Sequence, residues 1–343
     1  MRPIKGLMSV FIIGAVIFGF AGRAGAVKYL WQVALEEIEG SMQYAYAKKF
    51  VEIIKEKSKG QISCNIHPYG ELGTSGEITE LLQKGDLHFA FQSPGHLGSY
   101  IPEVQVFSIH YLFPTDFKLL EKILRKGPNT YKSLQKYYRE NKLELMSIIE
   151  EGWQIWTANK PLRKPADFQD LTFRVMSSPL LITAYRLYGA YVITVPYGQI
   201  YNDLALGAID AETQPFFAIQ EMKFYEVQDF MILAKQLPFI ATFVANHKFM
   251  SGLPENIRAV IDEAIEGANE YIFDFEPKLN HKRKQMIMEA KPSMQYIELT
   301  DEEISAFREK AQSLRQKYLK MGGEGAREVL DAVLNDLEWA ERN

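Results

Sequence analysis

Apolar and polar residues alternate along this chain with two periods, and the order in which the periods follow one another occurs twice. Residues 29–34 and 62–66 are strand-like apolar runs, and between them residues 42–57 place Ala45, Phe50, Ile53 and Ile54 at helical spacing. Thr74 and Glu77 then have the spacing of a capping box, which predicts a helix to about residue 84, before a third strand over 87–92. Strand, helix, strand, helix, strand is the result. The same order returns over residues 171–215: a strand carrying Arg174, an apolar helix through Leu187, a strand over 191–195, a helix over about 199–206, and a third strand with its exit turn over 208–215. Between the two units lie a helical pattern over 116–141, broken at Gly127-Pro128, and an apolar strand over 143–149 that continues extended to Trp156. After them come a strand-like run over 237–243, a helical pattern from 257 to about 288 with Pro277 as its expected kink, a capped helix from Thr300, and a last helix over about 325–339.

The fold class is therefore α/β, with two open units expected as two lobes. A chain of 343 residues is long enough for two domains. Crossings are expected near Trp153 and near 237–243, so that lobe I takes residues 27–153 and about 237–276, and lobe II takes 154–236 and about 277–343. The long helical pattern is expected to span both lobes. Parallel units bind small ligands at the edge where their strand ends lie side by side. Arg174 and the turn Glu212-Thr213-Gln214-Pro215 belong to strands of one unit and can face one crevice. A guanidinium there holds a carboxylate, sulfonate or phosphate through paired charge-assisted hydrogen bonds.

Residues 1–26 change the picture of where the protein works. Arg2 and Lys5, an apolar run over 7–20 and the small triplet Ala24-Gly25-Ala26 are the pattern of a secretory signal cleaved after Ala26. An uncleaved anchor is the alternative, and the run is short against the roughly 20 residues that span a bilayer. Cleavage removes Arg2, Lys5 and Arg23 and no acid, moving the formal charge from −4 to −7. Bulk charge of that sign argues against nucleic acid as a partner. Cys64, the one cysteine, has no intramolecular partner and reads as a buried thiol in a strand. The cluster His281-Lys282-Arg283-Lys284 reads as a solvated helix face.

Catalytic chemistry finds little support. The glycines between Gly70 and Gly76 match neither a P-loop nor a dinucleotide fingerprint, and the six histidines show no zinc spacing on one helix. No cofactor and no metal are expected. His96 as a general base in an exported enzyme is the competing class, without a visible nucleophile or metal beside it.

The chain from residue 27 onward resembles the extracytoplasmic solute receptors of tripartite ATP-independent periplasmic (TRAP) transporters, the DctP type. The resemblance rests on Gly70-Glu71-Leu72-Gly73 with Glu77, Gln92-Ser93-Pro94-Gly95, Tyr111-Leu112-Phe113-Pro114, Pro165-Ala166-Asp167-Phe168 leading into Phe173-Arg174-Val175, Leu187-Tyr188-Gly189-Ala190, Gly207-Ala208-Ile209-Asp210 and Tyr225-Glu226-Val227, in that order. It implies a two-lobed periplasmic binding protein that closes over a small organic acid, works as a monomer and delivers its ligand to a membrane permease. It implies that Arg174 pairs with the ligand's carboxylate. It places Gln214 where the family usually has an asparagine, within Asp210-Ala211-Glu212-Thr213-Gln214-Pro215 where the family's run is Asp-Gly-Gln-Glu-Asn-Pro.

Glu36-Glu37-Ile38-Glu39-Gly40 and Gln92-Ser93-Pro94-Gly95 look closest to the ectoine-type subgroup, in which the acid matching Glu37 meets a cationic part of the ligand. A helix-start carboxylate is the equal alternative for Glu37. His96 stands where that subgroup has phenylalanine and Tyr197 where it has tryptophan, while Phe217 is kept. A narrower aromatic box with more hydrogen-bonding groups argues for a small amphoteric or polar acid other than ectoine, with a sulfonate, dicarboxylate or sugar acid as alternatives. The candidate ligand residues are Arg174, Gln214, Glu37, His96, Gln92, Tyr197, Phe217 and Trp153, the last equally well read as core.

Overall fold

The computed structural model describes residues 27–342, and the export signal read from residues 1–26 lies outside the described residues. Nine strands form one sheet: β1 (Tyr29–Ala34), β2 (Ile62–His67), β3 (Phe89–Gln92), β4 (Leu143–Ala158), β5 (Thr172–Val175), β6 (Tyr191–Thr194), β7 (Ala211–Gln214), β8 (Phe230–Asn246) and β9 (Gln295–Glu298). Their order is β2-β1-β3-β8-β4-β7-β5-β6, with β9 added to β8. Within each lobe the neighbours are parallel, β2-β1-β3 on one side and β6-β5-β7 on the other. The two five-element units expected from the periodicity are thus present, each with its first strand in the middle.

The antiparallel pair β4 and β8 joins them. These strands are 16 and 17 residues long, far beyond an ordinary strand of five or six. Near one end Leu143 faces Asn246 beside β3, and at the other Ala158 faces Phe230 beside β7 and β9. Register shifts fall at Glu150/Trp153 and Trp153/Ile155, where Gly152 has φ of 118°. A side chain there would put its Cβ 2.5 Å from the Asn280 amide nitrogen, so both the left-handed backbone and the close approach call for glycine. Phe230–Asn246 is longer than the run over 237–243 suggested, because its first half is buried against β4 and β9 rather than patterned for solvent.

Each lobe has an aromatic core. Trp31, Phe50, Phe89 and Phe243 interlock in the first, with Phe89 stacked on Phe243 at 5.6 Å. Trp156, Phe168, Phe173, Tyr185 and Phe307 do so in the second. The long helix Glu255–Ala290 runs without interruption through Pro277 and packs on Met42–Lys57 of lobe I and on Phe216–Glu221 of lobe II. Its basic cluster is not simply solvated. Arg283 pairs with Glu221 at 2.9 Å and donates to the Gly40 carbonyl at 3.2 Å, and Lys284 lies 3.3 Å from the centre of the Tyr296 ring. Cys64 is half-buried on β2 rather than fully enclosed, since β2 is an edge strand.

The helical segment Leu314–Arg342, kinked at Gly323, packs against Pro102–Ser108, Phe117–Lys126 and Thr130–Glu140, and also on Pro179–Tyr188. Asp336 is fully buried there and accepts hydrogen bonds from the Thr130 amide (2.8 Å), the Thr130 hydroxyl (2.6 Å) and the Asn129 amide (3.1 Å). A carboxylate in the last helix therefore caps one early in the chain, a link that periodicity does not encode. Asp336→Ala leaves those donors unpaired in a dry site and is expected to lower the urea-unfolding free energy by about 2–3 kcal/mol, with little change in the denaturant slope.

Candidate functional site

The strand ends of both units converge on one cavity between the lobes. Lobe I supplies Glu36 and Glu37 from the segment after β1, Gln43 from the helix that follows, Ser75 from the start of the next helix, and Ser93 and His96 from the segment after β3. Lobe II supplies Arg174 from β5, Met176 just beyond it, Tyr197 after β6, and Gln214 from the end of β7; Phe239 of β8 closes the wall. The walls lie close together, leaving a cavity of only about 20 Å³ between them. Outside His96 and Tyr197 a second chamber, lined by Tyr69, Thr74, Gly76 and Thr194, leads towards the surface.

The lobes are in contact at the rim. The Ser178 amide donates to the Gly95 carbonyl at 2.8 Å, His96 Nδ1 is 3.3 Å from the Ser177 hydroxyl, and Tyr69 meets Tyr197 edge-on at 5.6 Å. A Cβ on Gly95 would fall 2.3 Å from Met176 Cε. Glycine at that position is what lets the two lobes meet so closely.

Arg174 is 1% exposed. Its Nε and Nη2 donate to the Val195 carbonyl at 3.2 and 3.0 Å, which fixes the plane of the guanidinium and leaves its Nη1 end to the cavity that it lines. Burial lowers its pKa to about 10, opposed mainly by the charge of Glu212, so it stays cationic at neutral pH. Glu212 accepts from the Thr157 hydroxyl at 2.7 Å through one oxygen, and its other oxygen reaches no donor. Burial pushes its carboxyl up to about 8, with Thr157 and Arg174 opposing.

The opposite wall is acidic. Glu36 accepts from the Ser93 amide at 2.7 Å, yet burial still carries it up to about 7. Glu37 accepts from the Gln43 amide at 3.2 Å and is raised chiefly by burial. His96 goes the other way: burial, and then the nearby Arg174, push the imidazole down to about 3, so it is neutral at pH 7.

Of the residues singled out in the sequence, Arg174, Gln214, Glu37, His96 and Tyr197 line this cavity together. Gln92 lies behind it, held by the Phe91 carbonyl at 2.9 Å and by Thr79. Phe217 is fully buried, its amide donating to Asn280 at 3.1 Å. Trp153 is half-buried at the irregular stretch of β4, opposite Pro238. Sequence reasoning missed Glu36, Gln43, Ser75, Ser93, Met176 and Phe239. Glu36 and Ser93 sit beside residues already marked, and Ser75 follows the Thr74 cap; Met176 and Phe239 carry no signal of their own.

Comparison with known proteins bears on this geometry. A model of the bacterial extracellular solute-binding proteins, family 7 (DctP), matches residues 34–321. The chain belongs to that family of TRAP-transporter solute receptors. Among its relatives, the ectoine/5-hydroxyectoine-binding periplasmic protein UehA of Ruegeria pomeroyi is 34% identical over 330 residues, covering 95% of this chain and 97% of UehA. The ectoine-binding periplasmic protein TeaA of Halomonas elongata is 32% identical over 332 residues, covering 97% and 96%. A solved structure of TeaA superposes with a TM-score of 0.88 over 90% of this chain and 99% of that one. A TRAP periplasmic solute-binding protein from Marinobacter aquaeolei, in an apo open structure, is 38% identical with a TM-score of 0.83, covering 89% of this chain and 99% of that one. The two-lobed architecture is thus that of the DctP family. No helix among the described residues is long and apolar enough to cross a membrane.

The titrations around the cavity have signs that can be worked out. Glu36 and Glu212 have folded pKa values of about 7 and 8, above an unfolded value of 4.5. The stability they contribute is complete below about 4.5 and is lost as pH rises through 7 to 8. His96 and His110, both lowered to about 3 by burial, act oppositely, weakening the fold as pH falls below 6.5. Between pH 4.5 and 6.5 the carboxyls and imidazoles oppose one another; above 6.5 only the carboxyls act, joined by Glu221 (about 8) and Glu276 (about 7), so the protein alone is expected to lose stability between about pH 6.5 and 8. Glu212→Gln is expected to flatten that alkaline slope, as read by urea unfolding at each pH.

Proposed function

We infer that this DctP-family receptor captures a small zwitterionic carboxylate in the periplasm and presents it to a membrane permease. The observation that carries the reading is the polarity of one cavity: Arg174 and Gln214 on one wall, Glu36 and Glu37 on the other. The guanidinium end suits a carboxylate, with the Gln214 amide as an added donor. The acidic end suits a cationic group that donates hydrogen bonds; a dianion has nothing to offer it, and a sugar acid offers only neutral hydroxyl donors. UehA and TeaA, with ectoine in their names, agree with a ligand carrying both charges.

His96 and Tyr197 occupy the rim where the ectoine-type pattern has larger apolar rings, so the ligand here is smaller or more polar at that edge than ectoine. Function as a binding protein rather than an enzyme is favoured by His96 itself. An imidazole whose pKa is about 3 is a poor base near neutral pH. Export with cleavage after Ala26, and action as a monomer, complete the reading.

A thermal-shift screen of the protein from residue 27 onward tests it. Small zwitterionic carboxylates are expected to raise Tm by several degrees at saturating concentration, plain monocarboxylates less, and dicarboxylates not at all. Arg174→Ala is expected to abolish the shift. Stabilisation by succinate equal to that by the best zwitterion, or a shift that survives Arg174→Ala, would overturn the assignment.

A further inference from the structure

Behind the acidic wall lies a carboxyl that the ligand reading does not use. Glu151 sits on β4 next to Gly152, at the irregular stretch where the chain passes between the lobes. It is 0% exposed, and neither of its oxygens reaches a donor. Its carboxyl faces Glu37, whose own carboxylate lines the cavity, and the side-chain amide of Gln43. That amide is itself buried without an acceptor, while its oxygen takes the Glu36 amide at 2.8 Å.

Two anionic carboxylates cannot share a dry site without strong repulsion, and the usual resolution is one proton held between them. The charged and titratable groups around the pair do not supply another. Glu36, on the same segment as Glu37, adds negative charge. Glu221 faces the pair from Phe216–Glu221 and is already matched by Arg283 of the long helix. Tyr197 is a neutral phenol, and its hydroxyl makes no hydrogen bond. From the hinge, Glu150 and Glu276 form a second acidic pair. Arg174 and the neutral His96 belong to the opposite end of the cavity.

We propose that Glu37 and Glu151 are a proton-sharing pair, and that the positive group of a zwitterionic ligand takes the place of the shared proton, which leaves to solvent. Glu151 is thereby a positioning residue that acts through Glu37. A cationic ligand exchanges charge for charge, so the pair carries one net negative charge before and after binding. A plain anion at Arg174 leaves the proton where it is. The cavity then discriminates zwitterions from simple acids without any contact between the ligand and Glu151. Burial acts in the same direction, raising both carboxyls above their ordinary range.

The proposal rests on the zwitterion reading, and the test keeps the two apart. Infrared difference spectra of the wild-type protein and Glu151→Gln, without ligand at pH 7, report the protonated carboxyl stretch; Glu37→Gln serves as the second variant. A protonated-carboxyl component beyond that of Glu36 and Glu212 is expected in the wild type, absent from both variants, and bleached by saturating ectoine or guanidinoacetate but not by propionate. Calorimetry in phosphate and Tris buffers is expected to show about one proton released per zwitterion bound, with affinity rising by up to about tenfold per pH unit on the acid side of the titration. Absence of the band in the free wild type, or a zwitterion that binds without bleaching it, overturns the proposal and leaves the ligand class standing. A band present as expected, with no zwitterion of the panel binding, overturns the ligand class and leaves the proton-sharing pair.

Discussion

The paired strands β4 and β8 are the constraint on which both lobes depend. Every other strand serves one lobe, but these two run through the sheet from Leu143 opposite Asn246 to Ala158 opposite Phe230. A continuous ladder of that length would fix the lobes rigidly. It is interrupted between Glu150 and Ile155, where Gly152 adopts a left-handed backbone and Trp153 faces Pro238, a residue with no amide hydrogen to donate. The interruption is supported from outside by Asn280 of the long helix, whose amide donates to the Glu151 carbonyl and whose oxygen accepts from Phe217 of lobe II. One side chain thus ties the crossing strand to the lobe that must move against it.

The same crossing places acids behind the cavity walls. Glu151 is carried by β4 itself, and Glu212 by β7, which pairs with β4 at Thr157. Arg174 therefore has a buried acid on its protein side as well as an anion expected on its ligand side. Removing a guanidinium from water is costly unless it is paired, and within the protein Arg174 gives its hydrogen bonds to the Val195 carbonyl, while Glu212 acts on it through charge alone. In the family's usual run at this turn the acid stands one residue later. Successive residues of a strand face opposite ways, so moving the acid from 213 to 212 moves it to the other face of β7.

How far the sequence reveals this protein differs between the fold and the site. Both five-element units were legible because each has one clean period per element, and Met42–Lys57 and Ser75–Lys84 fall where pattern and capping box put them. The packing of Leu314–Arg342 on Thr130–Glu140 was not, since it depends on Asp336 reaching Asn129 and Thr130 some 200 positions away. In the site, Arg174, Gln214, Glu37, His96 and Tyr197 meet in one cavity because all follow strand ends of the two units. Gln92 and Phe217 also follow strand ends, but their side chains point into the lobes, and a two-residue period does not say which way an exit turn faces. Glu151 gave no signal: in a run of apolar residues it reads as a strand edge, and only the pairing of β4 on both sides buries it.

Closure and selectivity follow from one property of the cavity, that each lobe contributes polar atoms which the other does not satisfy. Gln43 Nε2, both Glu151 oxygens, the Tyr197 hydroxyl and one Glu212 oxygen are buried without hydrogen-bond partners. Burying a polar group without a partner is costly. On the proposed reading, a ligand that carries an anion for Arg174 and a cationic donor for Glu37 meets groups of both lobes only in the closed arrangement. Its affinities for the two arrangements then differ by the value of those hydrogen bonds, and that difference is the whole of what it can use to shift the population. On the same reading, a ligand with one charge meets one lobe only, binds both arrangements more nearly alike and favours closure less.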